Sequence, residues 1–203
     1  NALLRATRDG SVWIGHAKRD APESFKLPAL LACPATAALP ERPLPAEHAW
    51  TVDPAEYTDV RYAEEGAVGY LSFDFYNGAM SVAQCARLCA ALDHAAARPT
   101  RVLVLLGGRD FWSNGVHLNV IEAADSAADE SWRNIHAIDD VAERILRLDG
   151  KLTVAALRGN AGAGGAFLAL AADHVWSRPG VVLNFHYRNM GNLHGSEYWT
   201  YTL

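Results

Sequence analysis

Between Arg158 and Phe167 the chain reads RGNAGAGGAF, with Gly159, Gly162, Gly164 and Gly165 in quick succession. A hydrophobic run precedes them and a helix-like run, LALAAD, follows. Such a cluster has two uses. It makes a tight strand-to-helix turn with close backbone packing. It also lets a ligand approach the free N–H groups of a helix start, which bind anions or a developing oxyanion. The common phosphate patterns fail. A phosphate loop begun at Gly159 meets Gly165 where it needs lysine, and a dinucleotide fingerprint begun at Gly162 meets Phe167 where it needs a third glycine.

A second stretch, LLGGRDFWSNGVHLNVIE (residues 105–122), has the same build: a strand, a loop with Gly115 at its turn, then a short helix. Two backbone-donor loops following two neighbouring parallel strands converge on one carbonyl oxygen. That is the layout of a two-donor oxyanion hole. Two side chains stand out beyond it. Glu197 lies in HGSEYWTY, flanked by Gly195, Ser196 and aromatic or β-branched residues, an apolar setting expected to raise a carboxyl pKa toward neutrality. His186 and His194 are near it in sequence and are expected to be hydrogen-bonded supports, together with Ser196.

The elements that must position these groups follow from the pattern. VRYAEEGAVGYLSFDF reads as two strands around a Glu-Glu-Gly turn. SVAQCARLCAALDHAAA carries Ser81 and Gln84 as a capping box and an apolar stripe of Val82, Cys85, Leu88, Cys89 and Leu92. RVLVLLGG and KLTVAAL suit strands buried on both faces. Trp132, Ile135, Ile138, Val141, Ile145 and Leu148 recur at helical spacing. Asp139 and Asp140 read as that helix's polar face, with Arg144 as a partner of Asp140. HVWS and VVLN read as short strands. The order β-β-α-β-α-β-α-β-β predicts an α/β fold with mostly parallel strands.

Ahead of this lies a different region. Residues 21–59 hold seven of the nine prolines and read as an extended Pro-rich linker. In residues 1–20, LLRAT reads as a helix end stopped by Gly10, and SVWIGHAKR as a strand. Both ends of the sequence read as cuts through a longer protein. A formal charge of -5 and no cluster of lysine and arginine argue against a nucleic-acid partner. The longest apolar runs fall far short of the ~20 residues of a membrane span. Three cysteines without framework spacing point to a reducing, cytoplasmic setting. Cys85 and Cys89 read as small core residues, and the scattered histidines give no metal site.

GGRDFWSNGVHLN and LRGNAGAGGAFLALAADHVW resemble the two oxyanion-hole segments of the crotonase (enoyl-CoA hydratase/isomerase) superfamily. The resemblance implies a spiral of β-β-α units over residues 60–203, incomplete at its C-terminus. It implies an acyl-CoA thioester ligand, with the backbone N–H groups of Val116 and Gly164 as donors. It also places Phe167 and Tyr187 where the hydratases carry their two catalytic glutamates, so water addition is not expected. Trp112 and Phe167 would wall the substrate pocket, although core packing is the ordinary role for Trp112.

VVLNFHYRNMGNLHGSEYWTYTL, DESWRNIHAIDD and SVWIGHAKR narrow the match to the HypX/HoxX family of hydrogenase maturation factors. That resemblance implies a formyltetrahydrofolate-using transferase-like half, of which residues 1–20 would be the tail, joined to a crotonase-like half. It further implies conversion of formyl-CoA to carbon monoxide and CoA, with Tyr187 and Glu197 as the catalytic pair. The tetrahydrofolate derivative would bind only in the other half. The implied partners are the hydrogenase maturation machinery or the hydrogenase large subunit. Two other readings stay open: hydratase, isomerase or thioesterase activity on another acyl-CoA, and a non-catalytic module binding CoA or a hydrogenase.

Overall fold

The structure, a computed structural model, describes residues 2–41, 57–185, 195 and 197–202. The N-terminal arm contains β1 (Leu3–Thr7), β2 (Gly10–Ile14), β3 (His16–Lys18), β4 (Lys26–Pro28) and a short helix α1 (Ala29–Ala32), then one 3-10 turn over Pro34–Ala38. Leu3–Thr7 is thus a strand and not the helix end expected for LLRAT. Thr7 pairs with Gly10, so Arg8 and Asp9 form a two-residue hairpin turn and Gly10 opens the second strand instead of stopping a helix. Part of the proline-rich stretch is also ordered into elements, against the expectation of an extended linker. Pro28 closes a strand, and Pro34 opens the 3-10 turn, where a missing N–H costs nothing. Ala29 and Ala32 are buried.

From residue 60 the chain alternates as expected. β5 (Val60–Glu65), β6 (Val68–Phe73) and β7 (Ala79–Met80) lead to α2 (Val82–Ala97). Next come β8 (Val102–Leu106), β9 (Phe111–Ser113), β10 (Gly115–Val116), α3 (Leu118–Glu122) and α4 (Ala127–Leu146). Then follow β11 (Leu152–Leu157), β12 (Asn160–Gly162), α5 (Gly164–Leu170), β13 (His174–Ser177), β14 (Leu183–Asn184) and α6 (Trp199–Thr202). A five-stranded sheet has the order β13-β11-β8-β6-β5, and a three-stranded sheet the order β14-β12-β9. Only the β5–β6 pair is antiparallel in these two sheets. Each turn of the chain therefore gives one strand to the first sheet, one to the second, and then a helix: β8 and β9, β11 and β12, β13 and β14. This is the spiral of β-β-α units.

The core lies between the first sheet and helices α2 and α4. Leu71, Phe73, Leu103, Leu105 and Leu157 meet Leu88, Leu92, Ile138, Val141 and Ile145. The Ser81 cap holds the start of α2, its N–H donating to Gln84 Oε1 at 2.9 Å. Cys85 and Cys89 are both buried in this core. The stripe on α4 departs from expectation at its N-terminal end. Trp132 is 66% exposed, and its ring meets its neighbour His136 edge-on. The buried face runs instead through Asn134, Ile138, Val141, Ala142 and Ile145. Arg144 also departs: its Nε bonds the Asp93 carboxylate, and it reaches Asp140 only at the backbone carbonyl. Among the described residues, no helix is long and apolar enough to cross a membrane.

Candidate active site

The two glycine segments lie against one another. Gly115 is in the left-handed region, φ +77, and a Cβ added there would come 3.1 Å from Gly164 N and 3.3 Å from Gly164 Cα. At Gly165 a Cβ would collide with the Ser113 carbonyl, so that position must be glycine. The loop is fastened by Ser113, fully buried, whose Oγ accepts from Gly115 N–H at 3.1 Å and donates to Gly78 O at 3.2 Å. Trp112 sits in the core, edge-on to Phe73, and its Nε1–H donates to Gly165 O at 3.1 Å. Its contribution to a pocket is indirect: it holds the second glycine turn from beneath.

Gly164 is the first residue of α5, so its N–H has no acceptor within the helix. The preceding Ala163 has φ 48 and ψ -129, a region nearly reserved for glycine. Such backbone costs about 1–3 kcal/mol and clusters at functional sites. Its N–H donates to Asn184 O at 2.9 Å, which ties the turn to β14. Val116, half-buried, ends β10 and pairs in register with Met80.

His117 follows Val116 and caps α3. Its Nδ1 accepts from Val120 N–H at 3.3 Å, so the ring is neutral with its proton on Nε2. Among the described residues that Nε2 is buried without a hydrogen-bond partner, as is Nε2 of His16, whose ring stacks on His117 at 5.9 Å and on Tyr76 at 4.7 Å. Burial holds the His117 pKa below the usual histidine range. Burial, then the neighbouring charges of His117 and Lys26, lower His16 to about 4.

Phe167, on the first turns of α5, is 5% exposed. Its ring packs against Phe185 at 4.8 Å and Trp199 at 6.1 Å. The segment that carries Trp199 also carries Glu197, which is 1% exposed. Glu197 N–H donates to Asp139 Oδ1 of α4 at 2.7 Å. The structure therefore brings together Val116, Gly164, Phe167 and the Glu197 segment around the start of α5. Tyr187, His186, His194 and Ser196 lie outside the described residues. A cavity of about 580 Å³ opens elsewhere, between the N-terminal arm and the first turn of α2, and the glycine loops do not line it.

Chemically, the assembled groups are the helix-start N–H of Gly164, the backbone at the end of β10, a buried carboxylate and an aromatic wall. Asn134 was not singled out from the sequence, and Asp139 was read only as part of the polar face of α4. Asn134 had a signal, a polar residue in register with the buried face at 138, 141 and 145. Asp139 had none for its bond to Glu197, since that partner lies 58 residues away.

No family model matches the chain. It is 58% identical over all 203 residues to the hydrogenase maturation factor HoxX of Bradyrhizobium diazoefficiens, covering 34% of that protein. It also matches HypX of Aquifex aeolicus, solved in complex with tetrahydrofolic acid, at a TM-score of 0.92 and 52% identity, covering 99% of this chain and 36% of the other. The chain thus spans about a third of the length of these relatives. The enoyl-CoA hydratase of Thermoplasma volcanium shares the fold, with a TM-score of 0.58 and 21% identity over 68% of this chain and 54% of that one. By sequence and by fold, this chain is the counterpart of one segment of the HypX/HoxX hydrogenase maturation factors, a segment built on the crotonase fold.

Proposed function

We propose that this site splits formyl-CoA into carbon monoxide and CoA, within a longer hydrogenase maturation factor acting in the cytoplasm. The observation that carries the reading is the exchange of carboxylates around α5. Phe167, where the hydratases place a glutamate, is buried against Phe185 and Trp199 and cannot activate water. A different carboxylate, Glu197, is buried on the segment that covers Phe167. An acyl-CoA site with this composition suits a reaction from which water is kept out.

The steps balance without a redox partner. The N–H groups of Val116 and Gly164 polarise the thioester C=O. Glu197 takes the formyl proton, and the C–H electron pair becomes the carbon lone pair of carbon monoxide. The C–S pair leaves on sulfur, and Tyr187 O–H supplies the thiol proton, which Glu197 then restores. His186, His194 and Ser196 support this pair. The formyl group would come from a tetrahydrofolate derivative bound in the other half of the protein, and the product would serve the hydrogenase and its maturation machinery. The domain boundaries that go with this reading are a tail at 1–20, a connecting region at 21–59 and the crotonase-like domain from 60.

The test is carbon monoxide release by the full-length protein supplied with formyl-CoA. Glu197→Gln and Tyr187→Phe should each lower the rate by about 10²–10⁴-fold, with CoA affinity retained. Gly164→Pro, which removes a backbone donor, should cost about 3 kcal/mol of activation energy. Release at the parent rate by both side-chain variants would overturn the assignment. Failure of the parent protein to release carbon monoxide, with hydrolysis of another acyl-CoA in its place, would favour the thioesterase reading.

A further inference from the structure

Helix α4 makes one contact with each side of the proposed site. Near its middle, Asn134 is fully buried. Its Oδ1 accepts from His117 N–H at 3.0 Å and its Nδ2 donates to Met80 O at 2.8 Å. Both partners are backbone groups that can act in one sense only, so the amide has a single orientation. Met80 is the register partner of Val116. One side-chain amide therefore fastens β7 to the end of β10 beside the Val116 N–H.

Five residues further along, about 7.5 Å up the helix, Asp139 accepts from the Glu197 N–H at 2.7 Å. Glu197 (φ 51) and Tyr198 (φ 57) are consecutive non-glycine residues in the left-handed region. That backbone is disfavoured for L-residues and persists where surrounding contacts hold it. The Asp139 bond is such a contact, made at the peptide that sets the direction of the Glu197 side chain.

We propose that α4 sets the spacing of the site, with Asn134 and Asp139 as positioning residues that keep the Val116 N–H and the Glu197 carboxylate in one fixed relation. The proposal rests on the reading of Val116 and Glu197 as oxyanion donor and base. It assigns this work to two side chains that need not touch the thioester themselves.

The experiment uses the full-length protein and two readouts: carbon monoxide release from formyl-CoA, and amide hydrogen exchange by peptide. Asp139→Asn keeps an acceptor for Glu197 N–H and should retain kcat within about threefold. Asp139→Ala loses it and should lower kcat at least tenfold with CoA affinity unchanged, while exchange accelerates over 197–202. Asn134→Asp keeps the acceptor for His117 but sets a carboxylate against Met80 O. It should lower kcat similarly and speed exchange over 115–118. Ser126→Ala weakens the α4 cap, where Ser126 Oγ accepts from Asp129 N–H, and should leave kcat in place. Should Asp139→Ala fail to fold, Asp139→Ser, too short to reach Glu197, replaces it.

Parent kcat in Asp139→Ala and Asn134→Asp overturns the proposal. So does an equal loss in Asp139→Asn and Asp139→Ala, or an equal loss in Ser126→Ala. If the parent protein releases no carbon monoxide, the functional reading fails separately and exchange alone decides. Local acceleration at the two named segments then upholds the clamp, and unchanged exchange rejects it.

Discussion

Gly115 and Gly164, 49 positions apart, meet backbone to backbone: a Cβ on Gly115 would stand 3.1 Å from the Gly164 nitrogen. The contact joins β10 to the start of α5, and the strands β8 and β11 that lead to them are parallel neighbours. Two separate demands fall on Gly115, a left-handed φ of +77 and room for the start of α5. Gly115→Ala should therefore destabilise the protein by about 1–3 kcal/mol and push Val116 and the start of α5 apart. Turnover should drop at least tenfold in variant protein that still melts cooperatively. Parent turnover there would show that the spacing of the glycines is not used in catalysis.

Trp112 should matter through its ring nitrogen. Trp112→Phe removes the donor to Gly165 O and leaves a buried carbonyl without that partner. The expected loss is about 1–3 kcal/mol, read as a lower denaturation midpoint. A variant as stable as the parent would mean that Gly165 O finds another donor.

Phe167→Ala should change the products more than the binding. Opening the wall formed with Phe185 and Trp199 admits water to the thioester. Formate should appear at the expense of carbon monoxide, alongside a stability loss of about 3–5 kcal/mol. Product ratios by gas and formate assays decide it, and an unchanged ratio counts against Phe167 as the water barrier.

Stability should fall on mild acidification. His16 titrates at about 4 in the folded protein and at 6.5 when unperturbed, chiefly because of burial, so below 6.5 the unfolded chain binds the proton first. His117, lowered by burial too, acts in the same direction. The denaturation midpoint should decline between pH 6.5 and about 4. His16→Phe keeps a ring to stack on Tyr76 and should flatten that decline. The same slope in parent and variant would rule out His16 as its source.

Thiol reactivity should separate the cysteines. Cys33 is partly exposed, whereas Cys85 and Cys89 are buried and burial pushes both thiols up. Peptide mass spectrometry after alkylation at neutral pH should find Cys33 modified first and Cys85 only on unfolding. Early modification of Cys85 would mean that the α2–α4 interface opens in the native protein.

Much of the fold was written locally. The glycine clusters, the Ser81–Gln84 cap and the apolar strands each carry their signal within a few residues, because φ freedom, capping and side-chain period are local properties. The same locality misled at Leu3–Thr7. A helix-compatible composition yielded there to pairing with β2 across the Arg8–Asp9 turn. At α4 the predicted stripe holds from Ile138 onward and fails at Trp132, since what the first turns of the helix bury depends on where neighbouring elements approach them.

The sequence by itself determined the two glycine segments, the absence of glutamate at Phe167 and the candidacy of Glu197, because each is a matter of residue type at a position. Tertiary structure decided that Glu197 is buried and that its segment packs on Phe167. It also decided that one helix holds both Met80 and Glu197. Those bonds join residues 54 and 58 positions apart, and no pattern within a single stretch of chain records which distant backbone group a side chain will meet. The packing of helices on the sheet brings them together, and the cost of leaving a buried amide or N–H unpaired keeps them so.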